Sequence, residues 1–405
     1  MPMSRAILEI GEPIIIEVGD LSEVLARLLG MRVTPAFDFG SAHYFFELDR
    51  DMPREVENQL AALARKGERN PYRKVHFWER TSLRHIDSVL PEIIQQETSL
   101  DLSQSKITPW GYSTREVIRI TLDHLLSHTN KKVALPVPNW HFWLALETQF
   151  APFEAYSGEE LVDNFRRVAN DDIGALILSF PATPLMYTPT QEQLMEIDHI
   201  AQHHGITVVI DDVLRGVQPL GKRDTVGRFF TRPYIIEGYG KRLGESFGSF
   251  SHLISPKDST ITNDLLGDSF SYGFGTSLAI SYEKDTQRAV QELERRNAAF
   301  DRGVRKYAPE GVTCLRPSPS HITTLLQLPH DFGYSSTDFT VLAEKNGICV
   351  SDLADFFPAD FSLRRGTRPA VRITTGRMDE TSVYNGAETL GRGISILCGA
   401  QYGQR

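Results

Sequence analysis

The stretch YIIEGYGKRLGESFGSFSHLIS, residues 234 to 255, sets one lysine, Lys241, at the end of an apolar run and surrounds it with glycines and serines. Glycine beside lysine raises the question of a phosphate cradle, and spacing answers it. A P-loop needs a glycine five residues before its Gly-Lys pair and a Ser or Thr after it, where this chain has Ile235 and Arg242. The dinucleotide fingerprint would put its third glycine at Leu243, one place before Gly244. Both signatures fail. What remains is a lysine together with two other polar residues that close or follow apolar runs, Thr183 and Asp211.

Those runs define the elements that must position the three. From about residue 85 to 255, short β-branched runs alternate with longer amphipathic stretches, the pattern of a mostly parallel sheet flanked by helices. VALPVP (133–138), IGALILSF (173–180), ITVVID (206–211) and YIIEGYG (234–240) read as strands. Between the second and third, TPTQEQLMEIDHIAQHHG reads as a helix. Thr190 and Gln193 can form a capping box, Leu194, Ile197 and Ala201 share a face, and Gly205 supplies the stop. In open α/β sheets ligands sit beyond the carboxyl ends of the strands, which is where Thr183, Asp211 and Lys241 fall. A lysine and a carboxylate at neighbouring strand ends are the pairing expected of pyridoxal phosphate chemistry, as Schiff-base lysine and partner of the pyridinium nitrogen.

A chain of 405 residues is longer than one core usually grows, so a large and a smaller domain are expected. After residue 280, EKDTQRAVQELERRNAAFDRGVRKY reads as one long charged helix, followed by short strands and loops of a smaller α+β domain. The reading divides the chain into an apolar N-terminal extension (1–34, strand then helix), an N-terminal part of the small domain with a substrate-lining segment (35–80), a large cofactor-binding domain (81–285) and a C-terminal small domain (286–405). The net charge of −9, without a basic tract, argues against nucleic acid as a partner. Cys314, Cys349 and Cys398 are odd in number and far apart, as buried thiols of a reducing compartment would be, and no zinc or other metal site is expected. Acidic residues interrupt the apolar N-terminus, and no run is long enough to span a bilayer, so a cytoplasmic protein with no membrane partner is expected.

The succession PVPNW, SFPATPLMYTPT, VVIDDVLRG, GYGKRLG and VRITTG, over roughly residues 36 to 390, resembles the fold-type I pyridoxal phosphate enzymes of the class I/II aminotransferase family. The resemblance implies a seven-stranded, mostly parallel sheet and pyridoxal 5'-phosphate as cofactor. Lys241 matches the lysine that holds the cofactor aldehyde and shuttles the substrate α-proton. Asp211 matches the aspartate that keeps the ring nitrogen protonated, with its neighbour Asp212 as the alternative. Trp140 matches the aromatic residue stacked on the ring, and Gly111, Tyr112 and Ser113 match the turn and helix start that give N–H groups to the phosphate. Tyr72 matches the tyrosine that reaches the neighbouring subunit's phosphate, which implies a homodimer with shared active sites. Arg372 matches the arginine for the substrate α-carboxylate. The segment around Gly40 corresponds to the pocket lining. His43 and His141 are further candidate acids or bases.

Four positions depart from the family pattern: Thr183 stands for an asparagine and Leu214 for a tyrosine that both donate to the cofactor's phenolic oxygen, while Gly238 stands for a serine and Ser249 for an arginine that both hold the phosphate. Arg215 and Arg242 are candidates to compensate, against ordinary surface ion pairing. The resemblance implies an aminotransferase acting on an α-amino acid. The departures keep open elimination, replacement or carbon–carbon bond formation at Cβ or Cγ, and also a non-catalytic ligand-binding descendant.

Overall fold

The computed structural model describes residues 9–10, 12–13, 37–38, 91–92, 94–110, 113–140, 149–218, 223–238, 251–262, 283–358, 367–376 and 378–402. The strand-helix alternation folds as β1 (Ser105–Trp110), α1 (Thr114–Leu126), β2 (Lys132–Val137), β3 (Phe150–Glu154), α2 (Gly158–Val168), β4 (Ile173–Ser179), α3 (Gln191–His203), β5 (Thr207–Asp211), β6 (Tyr234–Gly238) and β7 (Ser251–Pro256). These strands form a seven-stranded sheet in the order β1-β7-β6-β5-β4-β2-β3. Only β7 runs against its neighbours β1 and β6; the pairs from β3 through β6 are parallel. The expected mostly parallel, seven-stranded α/β sheet is therefore the fold.

Buried central strands of such a sheet carry apolar residues on both faces, and here the alternation divides them cleanly. Leu176, Leu178, Ile210 and Ile235 pack against Leu161 and Phe165 of α2 and Leu194 and Ile197 of α3. Ala175, Ile177, Val209 and Ile236 pack against Val117, Ile118 and Leu122 of α1. The α3 helix begins with the expected capping box of Thr190 and Gln193, and Gly205 follows its end at φ +63°, a conformation that costs glycine little.

The C-terminal part contributes α4 (Glu283–Arg305), β8 (Thr313–Leu315), β9 (Thr323–Gln327), α5 (Ser336–Lys345), β10 (Ser351–Asp352), β11 (Ala370–Thr374) and α6 (Glu380–Tyr402). Its strands form a four-stranded antiparallel sheet in the order β8-β9-β11-β10. Val371 and Ile373 point to a core with Phe300 of α4 and Val383 and Leu390 of α6. Ala370 and Leu325 point the other way, into the apolar layer that α1 shares with the large sheet. Two short N-terminal pairings are described: Glu9–Ile10 with Glu12–Pro13, and Phe37–Asp38 with Ile348–Cys349. The helix expected within residues 1–34 lies outside the described residues. Among the described residues, no helix is long and apolar enough to cross a membrane.

Candidate active site

Three of the expected residues, Asp211, Thr183 and Trp140, fall at or just past the carboxyl ends of large-sheet strands. Asp211 ends β5, paired with Ser179 at the end of β4 on one side and Ile236 of β6 on the other. Thr183 follows β4, and Trp140 lies three residues past β2. Ser251 of β7 pairs with both Gly238 and Trp110, so the end of β6 and the start of α1 meet at the same level. Gly40, His43, Tyr72, Gly111, Tyr112, His141, Lys241, Arg242 and Ser249 lie outside the described residues. Lys241 follows the end of β6 by three positions.

Two adjacent carboxylates separate across the sheet. Asp211 shares the parity of Val209, so it points to the α1 side, where Trp140 packs at the margin of the apolar layer. It is 7% exposed, and its Oδ1 accepts a hydrogen bond from the Val213 N–H at 3.2 Å. Asp212 shares the parity of Ile210 and enters a buried ionic cluster on the opposite face. There Arg215 Nε lies 3.3 Å from Asp212 Oδ2, its Nη1 is 3.0 Å from Glu97 Oε2, and its Nη2 donates to Glu237. Arg223 Nη1 lies 3.0 Å from Glu97 Oε1, and His252 Nε2 lies 3.0 Å from Glu237 Oε2. No side chain of the six is more than 7% exposed.

Burial pushes the Asp212 carboxyl well above the usual range; the Arg215 guanidinium opposes the rise, while the Glu237 and Asp211 charges add to it. Burial acts on Glu237 in the same direction, yet Arg215 and then His252 outweigh it and hold this carboxyl down at about 2. Arg215 is thus neither a phosphate anchor nor a surface ion pair. Its guanidinium is enclosed by three carboxylates on the face away from Asp211. Sequence reading missed this cluster. Its signal was Glu237, an acid within the apolar run YIIEG, because a charge in a buried strand must find a partner.

Arg372 comes to the edge from the small sheet. It shares the parity of Ala370, which faces the α1-side layer, and is 2% exposed. Its guanidinium carbon is 5.1 Å from the ring centre of Trp140 and 4.9 Å from that of Phe356. Ser351, its cross-strand partner, accepts a hydrogen bond from Nη2 at 2.8 Å. The Asn139 N–H donates to the Phe356 carbonyl at 2.9 Å, tying the segment before Trp140 to the turn that carries Phe356. Trp140 and Arg372, distant in sequence, are in direct contact.

The positions that depart from the family pattern have physical surroundings of their own. Leu214 packs with Ala289, Leu293 and Ile322 and offers no donor. The buried Thr183 hydroxyl donates weakly to the Pro181 carbonyl at 3.5 Å. Ser113 caps α1, its Oγ accepting from the Glu116 N–H at 3.4 Å. A Cβ at Gly238 would stand 2.0 Å from Thr114 Oγ1, so the strand end is kept bare beside the start of α1. An acidic group, an aromatic plane, a buried guanidinium and a bare backbone at a helix N-terminus are a donor set that fits a planar, phosphate-bearing cofactor with an amino acid.

No protein-family model and no curated protein matches the sequence. Solved structures do match its fold. An aromatic aminotransferase from Pyrococcus horikoshii OT3 has a TM-score of 0.67 at 15% identity, over 93% of this chain and 99% of that one. N-succinyldiaminopimelate aminotransferase from Mycobacterium tuberculosis has 0.66 at 17%, over 94% and 97%. MppP, in a structure soaked with the product 2-ketoarginine, has 0.63 at 16%, over 89% and 100%. These likenesses establish what the motifs led us to expect: the chain has the fold of the fold-type I, class I/II aminotransferases.

Proposed function

We propose that the protein is a pyridoxal phosphate-dependent aminotransferase that acts on an α-amino acid. The observations that support this reading are the contact of Arg372 with Trp140 and the placement of Asp211 on the same face of the sheet, with Asp212 turned to the opposite face. When bound, pyridoxal phosphate supplies an aldehyde for amines and a ring that withdraws electrons from the substrate's α-carbon. Asp211 holds a proton at the ring nitrogen. Trp140 covers the ring face, and the Arg372 guanidinium binds the α-carboxylate through two parallel hydrogen bonds. Lys241 would hold the cofactor through its amine and would act as acid and base at the substrate's α-carbon. Ser113 starts the helix whose N–H groups, with those of Gly111 and Tyr112, meet the phosphate. Tyr72 serves the neighbouring subunit's phosphate in a homodimer, and the segment around Gly40 lines the pocket.

The purified protein should be yellow, and borohydride should remove the visible band by reducing the link to Lys241. Lys241→Ala should abolish that link and leave the fold intact. A colourless protein that pyridoxal phosphate cannot load, or a covalent label on another lysine, would overturn the reading. A second reading, chemistry at Cβ or Cγ, is favoured by the apolar packing of Leu214 and the weakly bonded Thr183, which leave the phenolic oxygen without its customary donors. Amino acid added alone distinguishes the two. A transaminase releases one equivalent of keto acid and stops until an acceptor is supplied, whereas the alternative enzyme turns over without one.

A further inference from the structure

His321 lies where the small sheet meets the loops that leave β4 and β5. It is fully buried and stands two residues before Thr323, the first residue of β9. Ile322 belongs to the apolar cluster of Leu214, three positions past Asp211. The Thr323 hydroxyl donates to Met186 Sδ at 3.4 Å, three positions past Thr183. Met186 is at φ +64°, a left-handed conformation that costs a residue with a side chain and persists only where the surroundings enforce it. Leu325, of the same parity as Thr323, is the cross-strand partner of Arg372. Thr323 is therefore a diagonal neighbour of Arg372 on one face of the small sheet, about 7 to 8 Å away between backbones.

The ring is firmly held and yet incomplete. Asn297 Nδ2 donates to the His321 carbonyl at 2.8 Å, and Thr375 Oγ1 donates to Asn297 Oδ1 at 2.7 Å, so the backbone is fixed from α4 and from the end of β11. His321 Nδ1 is 2.9 Å from the Thr323 carbonyl, closer than to the Thr323 hydroxyl at 3.0 Å or N–H at 3.2 Å. A carbonyl can only accept, so this shortest contact assigns the ring proton to Nδ1. Burial lowers the imidazole to about 4, with the Thr323 bond opposing and the Arg316 charge adding, so the ring is neutral at pH 7 and Nε2 is an acceptor. Among the described residues Nε2 has no hydrogen-bond partner. It lies on the ring edge turned away from Thr323, and a buried acceptor left bare is costly.

On the pyridoxal phosphate reading above, we infer that His321 Nε2 accepts a hydrogen bond from a neutral donor, a hydroxyl or a carboxamide, at the end of the substrate's side chain. With the α-carboxylate on Arg372, a side chain of about three or four atoms spans the diagonal step to His321. The charge that acts on the ring is that of Arg316, which disfavours a cationic side chain there.

The test is a titration of the cofactor-loaded protein with paired amino acids, read as Kd from the change in the visible band. Homoserine and glutamine carry the donor; O-methylhomoserine and the γ-dimethylamide of glutamine keep the oxygen and lose the donor. The unaltered protein should bind each donor about tenfold more tightly than its methylated partner, and His321→Phe should abolish that difference by weakening the donors alone. His321→Gln, whose amide oxygen can accept in place of Nε2, should retain it. If His321→Phe does not fold, norvaline decides: it matches homoserine in size without the hydroxyl, and the unaltered protein should bind it as weakly as O-methylhomoserine. Equal Kd values within the pairs, a preference for glutamate, or a uniform loss with every amino acid in His321→Phe overturns the inference and leaves the cofactor reading standing. A protein that pyridoxal phosphate cannot load overturns both.

Discussion

Asp211 and Asp212 are neighbours with the same side chain, and the sheet gives them to two different environments. Asp211 points to the α1 face, the face on which Trp140 and Arg372 are in contact. On the opposite face Asp212 joins Glu97, Glu237, Arg215, Arg223 and His252 in a cluster that spends its charges on itself. The difference teaches that the chemistry open to a carboxylate here is set by strand parity. On the proposed function one face meets the ligand; the other braces the turn that follows β5.

The sharpest way to break this comparison is to remove the cation from the bracing face. Arg215→Met leaves three buried carboxylates without their shared partner and should cost about 3 to 5 kcal/mol in urea unfolding. A loss confined to cofactor affinity, with stability unchanged, would show that the faces are not divided as described.

Acid tests the same face more gently. Because Glu237 is held down at about 2, the stability it contributes is fully present above its ordinary value of 4.5 and is lost as pH falls through the folded value. Between those limits the change amounts to roughly 3 kcal/mol for this group. Glu237→Gln should flatten the acid limb of a stability-against-pH curve, and an unaltered slope would remove Glu237 as its source.

On the ligand face Arg372→Ala should act on binding. The loss of a charge-assisted bidentate contact predicts an amino acid affinity weaker by roughly 2 to 3 kcal/mol, measured as an increased Kd, with cofactor affinity nearly unchanged. Unaltered amino acid affinity would strike Arg372 from the site.

The smallest effect sharpens the contrast most. The Asp212 carboxyl is pushed upward by burial, so its stabilising contribution belongs to the protonated form and is lost as pH rises through the folded value. Asp212→Asn keeps the size of the group and removes its titration, and should change stability by about 1 kcal/mol or less. Asp211→Asn should equally spare stability yet weaken cofactor function. Equal effects of the two substitutions on cofactor binding would erase the distinction between the faces.

Much of this molecule is written locally. The apolar runs that became β2, β4, β5 and β6, the Thr190 and Gln193 capping box, and the stop at Gly205 depend on residues a few positions apart, so their patterns could be read without the fold. The order of the motifs likewise pointed to the fold and to Asp211, Trp140 and Arg372. The choice of Asp211 over Asp212 rested in the sequence on the resemblance alone, because strand parity means nothing until one face is known to carry Trp140 and the other Glu237. Nor could it foresee Arg215 as a brace, since Glu97 lies 118 positions away and becomes a partner only when the chain closes. The contact of Arg372 with Trp140, and the collision that keeps Gly238 bare beside Thr114, have the same origin. Local pattern determined the elements; the long-range packing of one strand end against a helix or a second sheet decided what each polar side chain faces, and with it what that side chain can do.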